Sequence, residues 1–90
     1  MIELYKKLSY GHKISVCKDI ANKLYKQPTS VRNWFISFKK IPIEHEQIVL
    51  VYLELETIKM NISFMQDPEM LFEMNRKYRE LYILIENYTY

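Results

Sequence analysis

The chain predicts an all-α fold, and three features of its 90 residues carry that reading. Apolar residues recur every three or four positions, Gly occurs once, and each of the three Pro residues stands where a helix can begin. With 49% hydrophobic and 27% charged residues, the chain has enough apolar surface to fold as one small domain. The same balance sets aside disordered, collagen-like and loop-rich β classes.

Five helices follow in order. Ile2, Leu4, Tyr5 and Leu8 share one face of a short first helix over residues 2–9, which Gly11 ends. From Ser15 to about Tyr25, the residues Val16, Ile20, Ala21 and Leu24 form an apolar stripe opposite Lys18, Asn22, Lys23 and Lys26. Pro28 keeps Gln27 out of helical backbone and suits the first turn of a third helix, with Thr29 and Ser30 as alternative caps. That helix buries Val31, Trp34 and Phe35 and ends in the basic loop Phe38-Lys39-Lys40. Pro42 restarts the chain, and Glu44 and Glu46 suit the positive end of a fourth helix that runs to about Met60. Residues 48–55 are rich in Val and Leu but lack the period-two alternation of a strand. Asp67, Pro68 and Glu69 read as a cap, a first-turn proline and a first-turn acid, so the fifth helix spans residues 68–87. Within it Leu71, Met74, Tyr78, Leu81 and Ile85 are spaced three and four apart, the seam of a helix pair.

Charge divides the chain. Residues 1–40 carry nine Lys or Arg against Glu3 and Asp19, a net +7, whereas residues 41–90 carry four against nine acids, a net −5. The first half therefore suits a polyanion. The longest apolar run, residues 48–53, is far shorter than the roughly 20 residues of a membrane span. Residues 1–7 place Glu3, Lys6 and Lys7 where a secretory signal needs an apolar core, and the single Cys17 has no partner for an internal disulfide. A cytoplasmic protein without a membrane association is expected. No enzyme is expected either. One glycine builds no phosphate loop, and Cys17 lies on a helix face that packs, although His12 is near in sequence. Glu44, His45 and Glu46 are adjacent and point apart, so no metal or other cofactor is expected there.

Two short helices joined by three or four residues, the second presenting polar and basic side chains, form a helix-turn-helix. Residues 17–24 and 29–36 fit that arrangement, with small Ala21 at the helix crossing and Ile20, Leu24, Val31 and Trp34 at the positions that must be apolar. The segment resembles the Cro and repressor class of helix-turn-helix proteins found in bacteriophages and mobile elements. The likeness rests on Asp19-Ile20-Ala21, Leu24, the run Thr29-Ser30-Val31-Arg32-Asn33-Trp34-Phe35 and Lys39-Lys40-Ile41-Pro42, and covers about residues 15–55. In that class the turn position is usually Gly. Here it is Tyr25, where a left-handed backbone costs a bulky residue on the order of 1 kcal/mol, so the turn is open to a different shape.

The resemblance implies double-stranded DNA as the partner, with residues 17–36 as the unit that enters the major groove. Thr29, Arg32 and Asn33 take the positions that meet base edges, where Arg pairs with guanine and Asn with adenine. Lys13, Gln27, Ser30, Ser37, Lys39 and Lys40 take the positions that meet the phosphate backbone. Trp34 and Phe35 lie on the apolar stripe and belong to the core rather than to a stacking surface. Residues 1–66 then form the DNA-binding core and residues 67–90 a C-terminal helix that dimerises through Leu71, Met74, Tyr78, Leu81 and Ile85, unless that stripe folds back on the fourth helix. The expected protein is a homodimeric, Cro-like transcriptional regulator that occupies an operator and has no small-molecule substrate. The alternative is a helical adaptor or inhibitor that docks another protein through Glu44, Glu46, Glu54 and Glu56. RNA binding ranks below both, because the basic half lacks exposed aromatic platforms.

Overall fold

Prolines and apolar spacing set out the helices of the computed structural model, which describes residues 1–36 and 40–88. The chain forms α1 (Ile2–Lys7), α2 (Tyr10–Leu24) and α3 (Pro28–Ile36), then a 3-10 turn (Ile43–His45), α4 (Glu46–Ile62) and α5 (Pro68–Asn87). No strand occurs among the described residues.

The first boundary differs from the sequence reading. Leu8 leaves helical backbone at φ −72°, ψ 148°, which turns its side chain, 3% exposed, into the core. Ser9 is also extended, and α2 starts at Tyr10, so Gly11 lies inside its first turn rather than ending α1. A Cβ at Gly11 meets nothing within 4 Å. Burial of Leu8, and not the flexibility of Gly11, therefore sets the break.

Residues 48–55 are helical. α4 packs against α1, α2, α5 and the 3-10 turn, so apolar residues are useful on several of its sides. Ile48, Val49, Leu53 and Leu55 are buried on it. Tyr5 of α1 stacks on Phe35 of α3 at 4.4 Å between ring centres, and Trp34 stacks on the buried His45 at 6.1 Å. His45 is thus part of the core.

Asp67 caps α5 as the sequence predicts, its Oδ1 accepting from the Glu69 N–H at 3.0 Å with Pro68 in the first turn. From there α5 runs back along α4. Leu81 and Ile85 are 3% and 8% exposed within the chain, and Leu71, Met74 and Tyr78 are half-buried. For Leu81 and Ile85 this replaces the expected contact between two chains with one inside the chain. The reason is geometric: the turn at residues 63–67 is short enough to lay the stripe of α5 on the nearest apolar surface, that of α4.

A short contact between His12 and the buried Glu56 ties α2 to α4. The Glu56 side chain is 4% exposed, with His12 Nδ1 at 2.5 Å from its Oε2 and Lys59 Nζ at 4.0 Å from its Oε1. Glu56 therefore does not belong to an acidic docking surface, whereas Glu44 and Glu46 are exposed. Among the described residues no helix is long and apolar enough to cross a membrane.

Candidate nucleic-acid interface

The link between α2 and α3 decides where the side chains of α3 point. α2 ends at Tyr25, which adopts φ 56°, ψ 44° and is the one non-glycine with positive φ among the described residues. The Lys26 N–H then bonds the Ala21 carbonyl at 2.9 Å, a six-to-one bond that closes the helix end and reverses the chain. Tyr25 thus takes the left-handed backbone that a glycine takes at no steric cost. Tyr25 is 86% exposed.

The reversal presses one side of α3 onto α2. Ile20, Ala21 and Leu24 of α2 and Val31, Trp34 and Phe35 of α3 are all buried, with Ala21 at 2% exposure. The opposite side of α3 faces outward: Thr29 and Arg32 are exposed and Asn33 is half-buried. Gln27, Ser30 and Lys40 are exposed and Lys13 is half-buried. Ser37 and Lys39, also expected at the phosphate backbone, lie outside the described residues.

The three expected base-reading residues do not share one surroundings. Thr29 and Arg32 line a cleft of about 350 Å³ between α2 and α3, together with Lys13 and Lys18, while Asn33 is not part of its wall. Tyr5 and Cys17 form its inner wall. Burial raises the Tyr5 hydroxyl above its ordinary pKa, Cys17 adds to that, and the positive charge of Arg32 works against it. Burial likewise raises the Cys17 thiol, opposed by its hydrogen bond with Tyr5 and by Arg32. Arg32 thus shares the wall of this cleft with Tyr5 and Cys17 while remaining exposed. Lys13 Nζ lies 5.5 Å from the centre of the Tyr5 ring, a cation over an aromatic face.

Sequence reasoning placed Lys13 and Arg32 in the interface but missed Lys18 and the cleft that gathers them. The signal was present, since positions 14, 17 and 18 are one helical turn apart, but Tyr5 joins them only through the packing of α1. Trp34 and Phe35 are 8% and 6% exposed and offer no stacking surface. Among the described residues no group of three or more His, Cys, Asp or Glu is placed to hold a metal ion. No family model, curated protein or solved structure matches the chain.

Proposed function

We propose that this protein binds double-stranded DNA sequence-specifically, with α3 in the major groove, and regulates transcription by occupying an operator. The observation that carries the reading is the left-handed turn at Tyr25, which supports the α2–α3 crossing at Ala21 and leaves Thr29 and Arg32 outward beside Asn33. Arg32 has the forked geometry that matches guanine, and Asn33 the paired donor and acceptor that match adenine. Lys13, Gln27, Ser30 and Lys40 flank α3 as phosphate contacts, joined by Ser37 and Lys39 from the sequence reading. The resemblance to Cro-type proteins adds a bacteriophage or mobile-element context and a cytoplasmic setting.

Helix-turn-helix repressors that read paired half-sites do so as two copies related by a twofold axis. Because Leu81 and Ile85 are covered by α4, the second copy is assigned to the outer face of α5. Phe72, Ile83 and Leu84 are exposed there at 69%, 54% and 54%. Phe72 and Leu84 lie equally far on either side of Tyr78, as do Arg76 and Glu80. Antiparallel packing of two such helices sets apolar against apolar and cation against anion, which is the self-complementarity of a twofold contact.

Selection from random duplex DNA at low salt tests the function. Enrichment of a paired motif is expected, with affinity that falls steeply as salt rises because phosphate contacts release counterions. Absence of any enriched motif overturns the proposal in favour of a protein-binding adaptor.

A further inference from the structure

The cleft between α2 and α3 has a composition that contact with a DNA backbone does not require. Three cations, Lys13, Lys18 and Arg32, stand around it, and no carboxylate is among its described lining residues. A site with one sign of charge and low-dielectric walls concentrates field on a small anion. Apart from Thr29, the rest of the wall is aromatic or aliphatic with the Cys17 thiol: Tyr10, Ile14 and Ile36 remain 78%, 40% and 53% exposed, with Tyr5 and Cys17 buried. A bare phosphate uses the cations and leaves these aromatic and aliphatic surfaces in water. A neutral apolar molecule does the reverse. The volume of about 350 Å³ falls at the lower end of small-ligand sites, the size for a single aromatic group with its anion.

We propose that this cleft binds a free mononucleotide, its phosphate held by Lys13, Lys18 and Arg32 and its base laid against Tyr10, Ile14 and Ile36. Thr29 at the start of α3 adds a hydroxyl beside the phosphate. Arg32 and Thr29 both line this cleft and both belong to the outward side of α3. Arg32 and Thr29 then serve two partners, and the nucleotide and the operator exclude one another. That last consequence rests on the DNA-binding reading above, and by linkage each ligand weakens the other by the same factor. Nucleotide binding itself does not depend on that reading.

The test is titration of the full chain, free of DNA, with adenosine monophosphate, adenosine and inorganic phosphate, followed by backbone amide NMR shifts. Saturable shifts confined to α1, the first half of α2 and the start of α3 are expected with the monophosphate. Adenosine and inorganic phosphate are each expected to bind at least about tenfold more weakly, since each lacks one of the two contacts. Lys18→Ala should weaken the monophosphate about tenfold, while Lys23→Ala, on the same helix but outside the cleft, should leave it unchanged. Equal binding of inorganic phosphate, equal loss in both lysine variants, or shifts spread over the whole basic half mean nonspecific attraction and overturn the proposal, as does the absence of saturation. If the monophosphate binds as expected but no DNA motif is enriched, the site stands and only the competition with DNA is lost.

Discussion

Tyr25 occupies left-handed backbone, which costs a bulky residue about 1 kcal/mol and which a glycine adopts without steric cost. Tyr25→Gly relieves that cost but gives back about 0.5 to 1 kcal/mol through the greater freedom of glycine in the unfolded chain, so stability is expected to rise by no more than about 0.5 kcal/mol, as an equal or slightly higher urea midpoint. A lower midpoint would show that the ring contributes more than its exposure suggests. Asp19 is the other residue whose environment works against it. Burial raises its carboxyl above the ordinary value of 3.8, the charge of Lys59 lowers it, and Glu56 raises it. A raised carboxyl binds its proton more tightly folded than unfolded, so its contribution to stability is greatest below the unfolded value and is lost as pH rises through the folded one. Asp19→Asn is expected to stabilise the protein at pH 7 by less than about 1 kcal/mol and to lose that advantage at acid pH, as thermal melts across pH should record. An advantage that grows toward acid pH would reverse the assignment. Tyr25 was legible as the turn because the residues around it fit, but its backbone conformation was not, since sequence alone set the steric cost against the fit of its neighbours. Glu56 was not legible as buried, because its partner His12 lies 44 positions away and nothing local joins them.

At the scale of elements, α3 was the easiest to read and α4 the hardest. α3 has one side on α2 and another in water, so the period of its apolar residues shows directly. α4 has neighbours on several sides, and its apolar residues lose the single stripe that identifies a surface helix. The end of α1 was misread for a related reason: a glycine was the visible signal, whereas the decisive event was burial of Leu8. The crossing of α2 and α3 depends on the absence of side-chain bulk at Ala21, which is 2% exposed. Ala21→Leu is expected to cost about 1 to 3 kcal/mol by overpacking, read as a lower urea midpoint. DNA affinity should fall even where the variant is fully folded, because the two helices are held apart. Unchanged stability and affinity would mean that the helices do not meet at this residue.

The whole molecule joins a basic half that carries the cleft and α3 to an acidic half that ends in α5. The division by charge was legible from composition, and so was the existence of α5, which carries its own cap. The path of α5 was not. A stripe spaced three and four apart fits a second chain or the same chain equally well, and only the position of α4 decides between them. The face left in water includes Phe72, Ile83 and Leu84. Sedimentation equilibrium is expected to find a dimer for the wild type and a folded monomer for Phe72→Asp. A monomeric wild type, or a variant that remains dimeric, would remove the outer face of α5 as the contact.

The claim on which the functional account depends is that Arg32 reads a base. Its direct measurement is the affinity of wild type and Arg32→Ala for the enriched site and for every single-base variant of that site, at fixed salt. Arg32→Ala is expected to lose about 1 to 3 kcal/mol on the preferred sequence and to become indifferent to the base at one position of each half-site, with its preferences elsewhere kept. An equal loss on every sequence, with all base preferences intact, would make Arg32 a phosphate contact and contradict the account.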